Sequence, residues 1–497
     1  MKKIFLYIIA IAMLFILGCT TKTVLTPQPS AFPTPLNAVG NSGLTSGQVP
    51  FANSSNSILS SPNMSYVDAG GGTLTTTNFN GIANSCLHNG NSGSSFPSSP
   101  TAGDFFLHNP TGCTILYQYG GSSWNPLYQY QSANVYVDNV NGTNDLLHGY
   151  GPGTSAWQSI AYAVQQCPAL TNVNIPTGNS YTINLTSGQT YTENLFIAGK
   201  LINNAGNVII LSPQNVLTTK TATGGTIGSG ANVPTITEAG GTFTANQYNG
   251  DFVQFTSGSN NNITRVIGVT STSTLYLIGQ ALAAAPVNGD TYRIFNTGAT
   301  IDGYVYSYKN DVYIYNTQVT YSNAGGLAGV VYAYDGNATV INSRIQSTAS
   351  IASLYADSRG EAYSIASSLE STASSAVGVE SEWGGCIDVE NSRVIGYSNT
   401  QGNGIQTNRG GQAYILACDV SVFNVGLYST SNGTLDTFPV SVNTFVHGCG
   451  YYGAYTNLHG CITETGSSVT FAKKVDGTTD ANSTNTGAES ASYSYLN

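Results

Sequence analysis

From Val305 onwards the sequence repeats itself, and a repeat of this length admits few folds. Segments opening at Val305, Val331, Leu354, Val379, Ile405, Leu427 and Ala454 align, their starts 26, 23, 25, 26, 22 and 27 residues apart. Each begins with an alternating run, such as Val-Tyr-Ser-Tyr at Val305 or Leu-Tyr-Ala-Asp at Leu354. Five or six residues in stands a small turn former: Asn310 in the first unit, then Gly336, Gly360, Gly385, Gly411, Gly433 and Gly460. A unit of this length with two or three short strands cannot bury its apolar side alone, whereas a stack of such units buries a continuous core. The sequence therefore predicts an all-β solenoid with coils of about 22–27 residues. One Gly or Asn per unit predicts a left-handed backbone at the same corner of each coil.

Side chains alternate across a strand, so the apolar residue opening each unit points inward and the next points outward. The outward column reads Tyr306, Tyr332, Tyr355, Glu380, Gln406, Tyr428 and Tyr455; a second, two residues on, reads Tyr308, Tyr334, Asp357, Glu382, Asn408, Thr430 and Asn457. Arg359, Trp383 and Arg409 stand at the Gly corner beside them. Charged residues make up 8% of the chain, against about 25% in an ordinary domain. Even so, residues 379–394 alone hold four carboxylates. Neighbouring coils lie ~4.8 Å apart and same-face residues on one strand ~7 Å apart, so Asp357, Glu380 and Glu382 crowd one another. Such crowding raises one of their pKa values or recruits a cation such as calcium.

Aromatic rings beside carboxylates suit sugars, whose apolar faces stack while their hydroxyls donate to acceptors. The candidate ligand-binding residues are Tyr332, Tyr334, Tyr355, Arg359, Trp383 and Arg409, and the expected partner is a polysaccharide or surface glycan. Three functions fit this pattern. The first is a tethered surface protein that binds glycan. The second is a polysaccharide-cleaving enzyme using Asp357, Glu380 and Glu382. In a glycosidase, Asp357 and Glu382 across coils would approach the ~5 Å of retaining enzymes, and Glu380 with Glu382 the wider inverting spacing. A lyase would hold calcium and use Arg359 or Arg409 as base or clamp. The third is a structural stalk on which the patch is incidental.

Composition narrows the partners. The net charge is −10, from 24 acids and 14 bases, and the basic pairs are Lys2-Lys3 and Lys473-Lys474. That is the wrong sign for binding a phosphate backbone, so nucleic acid is not an expected partner. The 57 Gly and 32 Tyr suit short strands and sharp turns. None of the cysteines sits in a Cys-x-x-Cys pair, so no zinc site or other cofactor is predicted.

At the N-terminus, Lys2-Lys3 precedes the apolar run IFLYIIAIAMLFIL and then LGCTTK. The first part has the form of a secretory signal. The second resembles the lipobox of bacterial lipoproteins, which implies lipidation of Cys19 and a membrane anchor at the cell surface, on the outer membrane where there are two. Residues 20–64 read as a flexible tether. Within residues 86–130, GDFFL and TILYQY form an expected hairpin in a stretch that resembles a short module of phage fibre and surface proteins, and Cys86 and Cys113 are candidates to staple it.

Further on, VYVDNVNGTNDLLHGYGPGTSAWQSIAYAVQQCP predicts a strand and then a helix, capped by Ser155, with Trp157, Ile160, Ala161 and Val164 on one face. This stretch, with TGNSYTINLTSGQTYTENLFIAG, resembles the opening of right-handed parallel β-helix proteins of the pectin-lyase-like superfamily. YTENLFI is similar to the Gly-x-Tyr-x-Glu signature of pectin methylesterase-like helices. The resemblance implies a right-handed parallel β-helix whose open end is closed by the short helix. The acid segments of those enzymes are missing here, so their catalytic residues are not carried over. Short alternating strands between residues 213 and 299 interrupt the array and predict an inserted β module. The division expected is 1–19 signal, 20–64 tether, 65–132 hairpin module, 133–212 cap and first coils, 213–299 insert, 300–470 main helix and 471–497 polar cap and tail.

Overall fold

The computed structural model describes residues 92–480 apart from some short stretches, with strands Gln48–Ala52, Ile58–Val67 and Thr73–Thr76 before that span and Ala488–Ser490 and Tyr495–Leu496 after it. Cys19, with the apolar run before it, and Cys86 lie outside the described residues. Residues 1–84 and 85–497 are separate compact units. In the first, the three strands form an antiparallel sheet that occupies part of the segment expected to be tether. Among the described residues no helix is long and apolar enough to cross a membrane.

The second unit is a parallel β-solenoid. Its coils contribute to three sheets, here named front, flank and covered. The front sheet has nine strands, from Leu195–Ala198 and Val305–Tyr308 to Tyr452–Thr456 and Ala488–Ser490. The flank sheet has eleven, from Ala133–Val137 to Tyr495–Leu496, and the covered sheet nine, from Thr190–Tyr191 to Val469–Phe471. In the front sheet Val305, Val331, Leu354, Val379, Ile405, Leu427 and Ala454 pair in register, one per coil. Each is almost fully buried, so the column that opens the repeat is the spine of the core. A stack this regular draws its stability from contacts between neighbouring coils.

The corner after the front sheet differs from expectation in an instructive way. The glycines of the repeat are not the left-handed residues. A Cβ on Gly360 would lie 2.2 Å from the carbonyl oxygen of Ala333 in the preceding coil, and one on Gly385 2.5 Å from that of Ala356. These positions are glycine because the previous coil's backbone fills the space of a side chain. The left-handed conformation falls one or two residues earlier, on Lys309 (φ 51°), Asp335 (50°), Arg359 (71°), Trp383 (48°) and Arg409 (49°). A second left-handed corner, between flank and covered sheets, is held by Asn316, Asn342, Ala366, Asn391 and Ala417.

The N-terminal end is closed by a six-residue helix, Ile160–Gln165, with Ile160, Ala163 and Val164 buried. Its N-cap is Ser159, which accepts from the Tyr162 amide, and not Ser155, which lies in a separate single turn, Gly153–Ser155. Trp157 is fully buried ahead of the helix and bridges to Val137, and Ala161 faces outward, so Ala163 takes the place expected of it. Glu193, the acid of YTENLFI, accepts from the amides of Ile160 and Ala161 at 2.9 and 2.6 Å. The acid of that signature thus satisfies the free N–H groups of the cap helix. Before the cap, Phe105–His108, Ile115–Tyr119 and Trp124–Gln129 form an antiparallel meander. Cys113 is a free, buried thiol in its core, not half of a staple; burial pushes the thiol up to about 12.

The interruption after the first coils is a seven-stranded antiparallel sheet spanning Asn215–Asn296 with its own core around Phe255, Ile267, Leu277 and Tyr292. Its other side packs on the solenoid, where Phe252, Val266, Ile278 and Phe295 meet Ala417, Val442, Phe445 and Val475. The insert therefore lies over the covered sheet and leaves the front sheet clear.

Candidate functional site

The front sheet brings the predicted outward residues into one row. Register pairs Phe196 with Tyr306, then Tyr332, Tyr355, Glu380, Gln406, Tyr428 and Tyr455, coil after coil. Hydrogen bonds run between these coils. Tyr332 donates its hydroxyl to Asp357 at 3.0 Å, and Ser358 donates to the other Asp357 oxygen at 2.9 Å. Tyr355 donates to Glu382 Oε2 at 2.7 Å, Asn408 donates to Oε1 at 2.6 Å, and Arg409 Nη1 lies 3.7 Å from Oε2. Gln406 donates to Glu380 Oε1 at 2.6 Å and accepts from Asn403 at 2.5 Å. Burial, with the charge of Glu382 added, pushes the Glu380 carboxyl up to about 7. Burial and the adjoining carboxylates likewise push the Tyr332 and Tyr355 hydroxyls well above the usual phenol range.

The tyrosines act differently from the stacking platforms the sequence predicts. Tyr355 is 4% exposed and serves as a buried donor. Tyr428 and Tyr455 stack at 5.8 Å with 6° between planes, and Phe196 and Tyr306 at 5.1 Å with 11°. Rings stacked along the solenoid cover one another's faces, and Phe196, in the first coil of the row, remains 58% exposed. Tyr332 stands at right angles to Tyr306 and Tyr355, which turns its hydroxyl toward Asp357. Tyr334 is half-buried and packs near Tyr306, Tyr308 and Tyr332. The large aromatic face that does remain at the acids belongs to Trp383, 57% exposed, with the Arg409 guanidinium 4.8 Å from its ring centre.

The corner forms a rim of charge. Arg359 lies 2.8 Å from Asp335 and Lys309 3.8 Å from the same carboxyl group. Asp335 escaped the sequence reading because it stands at the corner itself, one position past the alternating run. Phe196 escaped it because the insert separates its coil from Val305 in sequence. No cluster of three or more potential metal-ligating side chains occurs among the described residues.

No family model matches the chain, and no curated protein matches it. Among solved structures it aligns with the crystal structure of the tailspike gp61 of Pseudomonas phage phi297, at 11% identity and a TM-score of 0.22. The alignment covers 58% of this chain and 62% of that one. A score that low carries no functional argument.

Proposed function

We propose that the front sheet binds a polysaccharide or surface glycan, with Trp383 as the stacking plate and the Asp357, Glu380, Gln406, Glu382 and Asn408 row as its polar lining. The observation that carries this reading is Trp383 itself. A left-handed backbone costs an L-residue about 1–2 kcal/mol, and a bulky residue there is an outlier. The same corner is held in other coils by Lys309, Asp335, Arg359 and Arg409, so the turn itself does not call for a ring, and tryptophan stands there beside the acids. What distinguishes this corner is a large ring left exposed to solvent beside a satisfied polar network. Sugars match the chemistry: a flat aromatic plate for the ring, and alternating acceptors and donors for the hydroxyls. A tethered surface protein with the anchor at Cys19 is the setting in which we place it.

One observation favours a second reading, cleavage of the bound chain. A carboxyl group poised near neutrality beside another is suited to donate a proton to a leaving oxygen. The distribution of donors favours binding instead, since Asp357 and Glu382 each already accept at both oxygens. One experiment separates the two: the full chain is incubated with acidic and neutral polysaccharides, with and without calcium, while retention and new chain ends are measured together. Retention without new ends, lost in Trp383→Ala, is the expected result. New ends that vanish in Glu382→Gln while retention persists would establish cleavage. Retention by neither wild type nor variant would leave a structural stalk.

A further inference from the structure

The front row distributes its hydrogen-bond donors unevenly. Asp357 takes Tyr332 and Ser358, Glu382 takes Tyr355, Asn408 and Arg409, and Asp335 takes Arg359 and Lys309. Glu380 takes Gln406, on Oε1. It faces Tyr355 on the preceding coil, Glu382 just past the end of its own strand, and Gln406 and Arg409 on the next, where the Asn403 amide holds Gln406. Asp357 and Glu382 are thus anchored by donors on both oxygens, and Glu380 sits half-buried among them with a donor on Oε1 and none on Oε2 among the described residues. Like charges at ~5–7 Å on a partly dehydrated surface are unfavourable, and the simplest relief is a proton on the member with the fewest donors.

We infer that Glu380 carries the row's proton and uses it as a hydrogen bond to an acceptor oxygen of the ligand, an ether or carbonyl oxygen of a sugar, so that alkaline pH releases the ligand. This rests on the glycan reading of the same face and adds its regulation and the kind of atom recognised. On ionisation the open oxygen changes from a donor to a third crowded negative charge, so the bond is lost and repulsion replaces it. The effect falls in the neutral range because burial, with the charge of Glu382, pushes the carboxyl group up to about 7.

Two measurements on the full chain test this, and the first needs no ligand. A carboxyl group raised from 4.5 to about 7 in the fold contributes stability that is complete below 4.5 and lost as pH rises to about 7. Glu380→Gln, a neutral mimic of the acid, should match wild type near the lower value, gain on it up to the higher and hold that gain above. A difference independent of pH would overturn the inference. The second is retention on immobilised dextran, alginate, hyaluronate and chitin oligomers. Wild-type retention should fall about tenfold between about pH 6 and about pH 8.5, one lost hydrogen bond, while Glu380→Gln stays flat. A flat wild-type profile would overturn the donor role. Should Glu380→Gln fail to fold, Glu382→Gln removes the repelling charge and should move the wild-type midpoint to lower pH; an unmoved midpoint would count against the inference. A stability profile as expected with no retention at any pH would overturn the glycan reading and the donor role together, leaving Glu380 a protonated surface acid.

Discussion

Two neighbouring faces of the same solenoid carry acidic clusters and neutralise them by opposite means. Under the insert, the covered sheet pairs its carboxylates with cations. Arg344 lies 3.1 Å from Glu370 and 3.5 Å from Asp251 of the insert. Buried His447 lies between Asp419, at 2.9 Å, and Asp480, at 2.7 Å, with Arg393 3.9 Å from Asp419. On the front sheet the acids receive tyrosine, serine and amide donors, and Arg409 and Arg359 remain half or more exposed at the rim. Buried charge that holds two parts of a molecule together must be matched, because an unpaired ion away from water costs several kcal/mol. A face left with more acceptors than cations instead keeps bonding capacity for something outside the chain.

The largest expected effect comes from breaking the matched side. His447→Ala would leave Asp419 and Asp480 buried and facing each other, a loss of about 3–5 kcal/mol. Burial alone would lower the imidazole pKa, but the two carboxylates outweigh it and raise it above 6.5. Because the folded value is the higher, this stabilisation is fully present below 6.5 and lost as pH rises through the folded value. Denaturant unfolding of wild type and His447→Ala should therefore differ most in mildly acidic buffer and converge on the alkaline side. An equal difference at both ends would mean that the imidazole is neutral and the carboxylates share a proton, which would dissolve the contrast between the two faces. Val475 packs against the insert near this cluster, so increased hydrogen exchange should spread from residues 472–480 into the insert.

A second break tests the spine that both faces share. Gly385→Ala would place a methyl group 2.5 Å from the Ala356 carbonyl oxygen. Overpacking between coils should cost about 1–3 kcal/mol in thermal unfolding. Gly384→Ala, with φ 77° and no heavy atom near its Cβ, isolates the conformational cost and should cost about 1–2 kcal/mol. Equal effects would mean that stacking distance contributes nothing beyond the turn.

The solenoid and the composition of its front row were legible in the sequence because period two and a near-constant coil length are local properties. Inward Val379 and outward Glu380 follow from alternation alone, and so does the meeting of Tyr355, Glu380 and Gln406 once the units are aligned. What alternation cannot show is what covers an outward residue. Tyr355 is outward and yet buried, and the stacked tyrosines hide their faces from solvent. The Asp419, His447 and Asp480 cluster was not legible at all: each belongs to a different segment, and their meeting depends on how the chain after Phe471 returns over the covered sheet. The cap helix starts a few residues later than its periodicity predicts because Trp157 fits a helical period while pairing as a strand residue with Val137.

The smallest expected stability effects lie on the unmatched side, and they make the sharpest test of the contrast. Trp383→Gly removes left-handed strain of about 1–2 kcal/mol, adds chain entropy to the unfolded state at about 0.5–1 kcal/mol, and gives up a partly exposed cation–π contact of similar size. These contributions nearly cancel, so the melting temperature should stay within a few degrees of wild type while glycan retention is lost. Arg359→Ala, at an ion pair whose arginine is 82% exposed, should change stability by less than about 0.5 kcal/mol. If either variant instead destabilised the protein as much as His447→Ala does, the rim would be holding the solenoid together, and the front face would be one more structural surface.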